Sequence, residues 1–192
     1  RYYVSDQANP AAPPSKLKTL DMRAVAPFIA LALLLVVGAM VNPNFIGLTN
    51  LANVATRAAF IAIIAVGATF VISSGDLDLS VGSMVAFVAS VMILFMNSGA
   101  IDNPLMMILA ASTLALVLGA LCGFLNGAVT TWGRIEPFIV TLGTMGIFRG
   151  LTTWLSQGGA ITLSSAEQQD VFRPVYFGRF LGLPIPIWVI LA

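Results

Sequence analysis

The sequence predicts an all-α fold, a polytopic transmembrane helical bundle with a broken helix near residues 73–83. Composition is the first reason, because 58% of the 192 residues are hydrophobic and only 9% are charged, whereas soluble domains carry about 25% charged residues. The second reason is the pattern, in which apolar runs of bilayer length alternate with short polar segments. We therefore expect the lipid bilayer to surround most of the chain.

Residue counts remove several classes of function. The net charge of +1 gives no reason to expect nucleic-acid binding. The absence of histidine removes the commonest general base and the commonest transition-metal ligand, so we expect neither a metal nor a cofactor. The single cysteine, Cys122, lies in an apolar run, so a disulfide framework is excluded.

Residues 1–23 are polar and proline-rich, and we expect them to form a loosely attached tail. Lys16, Lys18 and Arg23 precede the first apolar run, which places this tail in the cytoplasm by the positive-inside rule. Residues 24–192 form the transmembrane domain. We expect that domain to be incomplete at its carboxyl end, because its last apolar run has barely begun there.

The first predicted span, residues 24–41, is charge-free and about long enough to cross the hydrocarbon. Pro27 lies in its first turn, where proline is tolerated. Asn42-Pro43-Asn44 ends the span. Residues 45–57 are amphipathic and predict an interfacial connection or a short helix.

Residues 58–72 form the second predicted span and residues 81–96 the third, and neither contains a charge. The second span is short and rich in alanine. Small residues let neighbouring helices approach closely, so we expect it to be buried among other helices.

Between these spans lies the polar stretch SSGDLDLSVGS, residues 73–83, which carries Asp76 and Asp78. A carboxylate at membrane depth costs about 3 kcal/mol or more unless it is paired or hydrated. Gly75 and Gly82 permit backbone conformations that break a helix, and broken backbone is tolerated there only beside protein or a water-filled cavity. Two interpretations remain open: a broken-helix connection beside a polar path, or an ordinary interfacial loop.

The fourth predicted span, residues 105–129, carries Gly119, Gly123 and Gly127 on one helical face. Three small residues in register predict a helix–helix contact. Asn126 lies near the inner end of the span, where an interhelical hydrogen bond is a more usual role than a contact with substrate.

The remaining segments complete the predicted topology. Residues 97–104 form an outer turn, residues 130–137 a short inner loop, and residues 138–155 the fifth span. Residues 156–183 form a longer outer loop that a soluble partner could contact. A sixth span begins at residue 184.

Three classes of function fit this pattern: a transporter subunit, an intramembrane enzyme that uses Asp76 and Asp78, and a structural membrane protein. The enzyme is disfavoured, because an aspartyl dyad needs two carboxyls that share a proton, normally from different helices, whereas side chains two residues apart on one helix point away from each other. A structural protein does not need an acidic broken helix. The transporter is preferred, and its energy source, ATP or a coupled ion, is left open.

Three motifs follow in order: GDLDLSVG at residues 75–82, GFLNGAV at residues 123–129, and PFIVTLGTMGIFRGL at residues 137–151. Their order and spacing resemble the ribose/galactose/arabinose/xylose branch of bacterial ABC-transporter permeases. Asp78 corresponds to the aspartate of that family's signature. Asp76 is a departure, because it stands where the signature commonly has a second glycine.

The resemblance implies a multi-pass permease subunit of an ATP-driven sugar importer in the bacterial inner membrane. Such a subunit pairs with a second permease subunit, which we expect to be an identical copy. Two ATP-binding cassette ATPase subunits act beneath the pair, and a periplasmic sugar-binding protein delivers a monosaccharide. The permease itself is then not an enzyme, in keeping with the absence of a GxxxxGK[ST] loop from this sequence.

An uncharged polyol needs hydrogen-bonding side chains and space rather than a metal. Candidate residues that line or support the sugar path are Ser73, Ser74, Asp78, Ser80 and Asn126. The alternative for each is a hydrogen bond that satisfies the broken helix or joins two helices. Ribose, other pentoses, galactose and autoinducer-like compounds all remain possible cargoes.

Overall fold

The structure is a computed structural model that describes residues 22–191. The predicted cytoplasmic tail, residues 1–23, lies almost entirely outside the described residues. The chain divides after Leu51 into two compact units. Seven α-helices are described, which confirms the predicted all-α helical bundle. They are α1 (Met22–Val41), α2 (Leu48–Ser73), α3 (Val81–Asn97), α4 (Pro104–Gly133), α5 (Pro137–Ser156), α6 (Ala166–Phe177) and α7 (Ile185–Leu191).

In the first unit, α1 leads into a 3₁₀ turn, Pro43–Ile46. Asn42 ends the helix as expected, because its side chain accepts the backbone N–H of Asn44 at 2.9 Å. Helix α1 begins earlier than the sequence indicated, so Pro27 lies inside it rather than in its first turn. The missing N–H of Pro27 therefore removes one helical hydrogen bond.

Helix α2 is one continuous helix of 26 residues. The sequence predicted a separate connection or short helix in residues 45–57, but only residues 45–47 lie outside α2. The prediction was wrong for residues 48–57, which continue into the second span because neither proline nor glycine interrupts residues 48–66. Within the described chain the alanine-rich span is mostly exposed, and its expected burial among other helices stays a prediction. Ala59 is the buried residue of α2 among those described, and the large apolar side chains of α2 point outward.

The second unit is built on α3, which packs against both α4 and α5. Phe87 of α3 stacks on Phe148 of α5 with ring centroids 5.7 Å apart. At the carboxyl end of α3, the side chains of Met96, Met107 and Ile108 are fully buried in a small core that α6 covers. This core fixes the ends of α3 and α4 against α6.

Residues 156–183 are more ordered than the polar loop that the sequence predicted. They contain α6, which Ser165 caps by accepting the backbone N–H of Gln168 at 3.3 Å. An antiparallel pair follows, β1 (Arg179–Phe180) and β2 (Leu183–Pro184). Leu181 and Gly182 join its strands with φ of 49° and 82°, as a two-residue hairpin turn requires.

Among the described helices, α2, α4 and α5 are long and apolar enough to cross a membrane. The 30 residues of α4 extend about 45 Å, more than the hydrocarbon thickness of about 30 Å. Hydrogen bonds join the α2–α3 connection to the start of α5, and the end of α3 to the segment before α6. The connections therefore alternate between two ends of the bundle, and which end is cytoplasmic stays a prediction.

Candidate functional site

The α2–α3 connection, residues 74–80, begins with a helix stop that the sequence encodes locally. Gly75 has φ of +88°, a conformation that favours glycine. The backbone N–H of Gly75 donates to the carbonyl of Ile72 at 3.0 Å, and that of Asp76 donates to Val71 at 3.2 Å. This pair of bonds is a Schellman motif, so Gly75 ends α2 and turns the chain away from the helix axis.

Two of the five predicted path residues use their hydroxyl groups within α2. The hydroxyl of Ser73 donates to the carbonyl of Thr69 at 2.6 Å, and that of Ser74 donates to Val71 at 2.7 Å. Both side chains are exposed. Their bonds satisfy the last turn of the helix, which is the alternative role that the sequence left open.

The other three predicted residues form one chain of hydrogen bonds. The backbone N–H and the hydroxyl of Ser80 both donate to Oδ1 of Asp78, at 2.7 and 2.6 Å. The hydroxyl oxygen of Ser80 accepts a hydrogen bond from Nδ2 of Asn126 at 2.8 Å. Ser80 is fully buried, and Asn126 is nearly so. The connection is thereby tied to α4 through residues that are distant in sequence.

The hydrogen-bond pattern also orients the amide of Asn126. Because the single proton of the Ser80 hydroxyl goes to the carboxylate of Asp78, Asn126 must turn its NH₂ group toward Ser80. Its Oδ1 is buried and has no hydrogen-bond partner among the described residues. A buried acceptor without a partner costs about 1–3 kcal/mol.

Thr141 of α5 holds the connection from the other side, and the sequence did not single it out as a candidate. Its buried hydroxyl donates to the carbonyl of Leu77 at 3.3 Å. The available signal was a threonine within the PFIVTLGT motif of an apolar span. The connection is therefore bonded to both α4 and α5.

A cavity of about 200 Å³ lies beside the connection. At about 30 Å³ per water molecule, it has room for a small polar solute. Its polar lining comprises Ser74, Asp76 and Asp78 from the connection, Asn126, Thr130 and Thr131 from α4, and Thr141. The described lining includes two carboxylates and no lysine or arginine.

Asp76 is exposed, whereas Asp78 is half-buried. The sequence analysis did not choose Asp76 as a path residue, because it departs from the family signature. Its side chain is exposed and lines the cavity. The Oδ1 atom of Asp78, by contrast, is bonded to Ser80. Thr130 and Thr131 were also missed, because they stood in what the sequence predicted to be an inner loop but belong to the last turns of α4.

The three glycines of α4 face open space within the described chain. A Cβ atom added at Gly119, Gly123 or Gly127 would meet no heavy atom within 4 Å. Gly123 and Gly127 line the cavity. The predicted helix–helix contact stays a prediction, and its partner helix would have to come from outside the described residues.

Comparison with known proteins identifies the class of this chain. The model of the family described as branched-chain amino acid transport system / permease component matches residues 50–192. The chain belongs to this family of permease components. The apolar helices agree with this assignment, and the chain is a multi-pass protein of the bacterial inner membrane.

Individual relatives agree with the resemblance seen in the motifs. The ribose import permease protein RbsC of Haemophilus influenzae is 35% identical over 162 residues, which cover 84% of this chain and 48% of that protein. RbsC of Bacillus subtilis is 37% identical over 172 residues, covering 89% and 51%. The autoinducer 2 import system permease protein LsrC of Escherichia coli is 30% identical over 156 residues, covering 81% and 44%.

The chain thus spans about half the length of the curated relatives that it matches. No solved structure matches it.

Proposed function

We propose that this chain is part of the membrane-spanning permease subunit of an ATP-driven sugar importer. The subunit pairs with a second copy, two ATP-binding cassette ATPase subunits drive the pair, and a periplasmic binding protein delivers the sugar. The amino terminus lies in the cytoplasm. Relatives that are named ribose and autoinducer 2 import permeases support this proposal.

The observation that carries the proposal is a cavity with many polar side chains in its lining, beside the α2–α3 connection at one end of the helical bundle. Asn126 lines it, and the exposed side chain of Asp76 lines it as well. Thr130 and Thr131 add hydroxyl groups that can donate as well as accept. Hydroxyl groups of a monosaccharide complement this mixture of acceptors and donors.

The charge of the cavity narrows the cargo further. Two carboxylates without a basic side chain in the described lining repel an anion, so a phosphorylated sugar is disfavoured. A neutral sugar is not repelled, and the carboxylate oxygens accept hydrogen bonds from its hydroxyl groups. The proposed cargo is therefore an uncharged monosaccharide.

The residues divide into two roles under this proposal. Asp76, Thr130 and Thr131 contact the sugar. Asp78, Ser80 and Asn126 support the path by holding the connection on α4, since Oδ1 of Asp78 is already bonded to Ser80. Rearranging these few bonds would move the connection and change access to the cavity.

A secondary transporter is the alternative, because two carboxylates at a broken-helix connection could also hold a coupling ion. Uptake of a panel of labelled monosaccharides, measured in cells with and without the partner ATPase, separates the two. The proposal predicts uptake that requires the ATPase and survives collapse of the ion gradient. Uptake that continues without the ATPase and stops with the gradient would establish the alternative.

A further inference from the structure

Two exposed tryptophans lie at the ends of consecutive apolar helices. Trp132 lies in the last turn of α4 and is 76% exposed, and Trp154 lies in the last turn of α5 and is 74% exposed. Tryptophan is enriched at membrane–water interfaces, because its ring is apolar and its indole N–H is polar. Both side chains are therefore placed where an interfacial anchor is expected.

The spacing of the two tryptophans matches the thickness of a bilayer. Helix α5 has 20 residues and extends about 30 Å, and the hydrocarbon of a bilayer is about 30 Å thick. Trp132 lies near the level at which α5 begins, because Thr131 and Pro137 line the same cavity. Trp132 and Trp154 therefore lie at opposite ends of a layer of hydrocarbon thickness.

The length of α4 gives the same boundary independently. At about 45 Å, α4 exceeds the hydrocarbon by about 15 Å. About 20 residues counted back from Trp132 fill the hydrocarbon, so the other boundary falls near Ser112. The turns of α4 beyond this boundary, residues 104–111, carry the small core on which α6 packs, and Tyr176 of α6 contacts the hydroxyl of Ser112. The part of α4 that is too long for the bilayer is thus the part that α6 covers.

Charged residues are distributed as these boundaries require. Exposed carboxylates of the α3–α4 connection and of α6 lie beyond the boundary near Ser112; they are Asp102, Glu167 and Asp170. Among the described residues of α2, α4 and α5, the charged side chains are Arg57 and Arg149. Arg149 is about 7 Å from the level of Trp154, and Arg57 is about 24 Å from the connection that ends α2. Both arginines are close enough to the same boundary to extend their guanidinium groups to it.

The two sides of α4 differ in the side chains that they present. Val117, Leu121 and Leu125 are each more than half exposed. At about 100° per residue, they lie on the side of Trp132, and the glycines at 119, 123 and 127 lie on the opposite side. Helix contacts in membranes favour small residues, whereas bulky aliphatic side chains suit lipid chains. Lipid therefore fits the side of α4 that carries Trp132.

We propose that Trp132 and Trp154 lie in the headgroup regions of opposite leaflets. Phospholipid chains cover the side of α4 formed by Val117, Leu121 and Leu125, and α6 lies outside the hydrocarbon. This placement rests on the membrane-spanning helices and does not depend on the proposed sugar path.

The placement also sets the depth of the polar cavity beside the α2–α3 connection. Thr130 and Thr131 line that cavity and directly precede Trp132, so the cavity lies at the headgroup level of one leaflet. Water then reaches it without crossing hydrocarbon. The exposed carboxylate of Asp76 is hydrated there, which avoids the cost of about 3 kcal/mol of a charge at the bilayer centre.

Fluorescence quenching by brominated phosphatidylcholine in nanodiscs measures the depth of each indole. The chain has three tryptophans, so replacing two of them by phenylalanine leaves Trp132 or Trp154 as the single emitter. We expect lipid brominated near the headgroup to quench each of them about twofold more than lipid brominated near the chain ends. Leu121→Trp, in a chain whose native tryptophans are all replaced by phenylalanine, should show the opposite order, because Leu121 lies about 16 Å from the level of Trp132.

Asp170→Trp in the same background tests the position of α6, since Asp170 is exposed on that helix. Its fluorescence should be quenched by acrylamide in the water and by neither brominated lipid. Circular dichroism confirms that each variant is folded. Shallow quenching of both native tryptophans together with deep quenching of Leu121→Trp supports the placement.

Three results would overturn the proposal. Stronger quenching of Trp132 or Trp154 by the deep bromines would remove the boundary at that residue. Absence of lipid quenching in Leu121→Trp would mean that another helix or a second copy, and not lipid, covers this side of α4. Lipid quenching of Asp170→Trp would place α6 within the bilayer.

Discussion

Replacing Ser80 by alanine tests the hydrogen-bond chain that ties the α2–α3 connection to α4. The fully buried hydroxyl of Ser80 donates to the carboxylate of Asp78 and accepts from Asn126. A hydrogen bond to a charged group contributes about 1.5–3 kcal/mol, and a buried amide left without a partner costs about 1–3 kcal/mol. Because the backbone N–H of residue 80 still donates to Asp78, we expect Ser80→Ala to destabilise the protein by about 2–4 kcal/mol.

Thermal unfolding of the purified protein in lipid nanodiscs, followed by tryptophan fluorescence, measures this loss. Ser90→Ala is a matched control, since Ser90 lies in α3, the helix that Ser80 precedes, is similarly buried, and donates only to Ala86 of its own helix at 2.8 Å. The control should change stability by less than about 0.5 kcal/mol. Equal losses in the two variants would refute the proposed linkage between α3 and α4.

A double variant measures how much of the destabilisation by Ser80→Ala comes from the amide of Asn126 that loses its hydrogen-bond acceptor. Asn126→Leu removes the amide that Ser80→Ala leaves without an acceptor, and removing both partners of a buried bond is nearly neutral compared with removing one. We expect Ser80→Ala to cost about 1–2 kcal/mol less in the Asn126→Leu background. Strict additivity of the two substitutions would show that their side chains do not interact in the protein.

Three further predictions follow from the same site. Asp78→Ala should lower sugar uptake while ATP binding by the partner ATPase stays intact; normal uptake by a folded variant would remove Asp78 from the mechanism. Gly75→Ala should destabilise the protein by about 1–2 kcal/mol because of the positive φ at this position. In the same unfolding assay Gly82→Ala, in open space within α3, should not destabilise it, and a reversed order would contradict the helix stop at Gly75. Gly123→Leu should leave the folding of this chain unchanged, because a Cβ meets open space, but should lower the yield of assembled complex measured by size-exclusion chromatography; an unchanged yield would count against a helix contact there.

Local pattern predicted most of the helices. The apolar runs around residues 24–41, 81–96 and 138–155 correspond closely to α1, α3 and α5. The break between α2 and α3 was also predictable, because Gly75 and two aspartates cannot continue an apolar helix. The free energy of transferring a side chain into lipid depends mainly on the residue type, so a window of consecutive residues is enough to predict a span.

The local sequence pattern did not predict the helix that tertiary contacts stabilise, nor the true start of α2. Helix α6 is polar and contains Pro174, so residues 166–177 resembled a loop. Packing of α6 on the core formed by α3 and α4 stabilises the helix there. The amphipathic segment before residue 58 was separated from the second span by its polar residues, although nothing in the backbone interrupts α2.

The sequence by itself determined the membrane-spanning class, the family and the five polar candidates of the path, because hydropathy and motif spacing are properties of neighbouring residues. Only the tertiary structure decided which candidates act together. Ser80 and Asn126 are separated by 46 positions, and Thr141 reaches Leu77 across 64. Such bonds depend on how α3, α4 and α5 pack. The physical reason is that transfer into lipid is a property of single residues, whereas a hydrogen bond requires two groups in fixed relative positions.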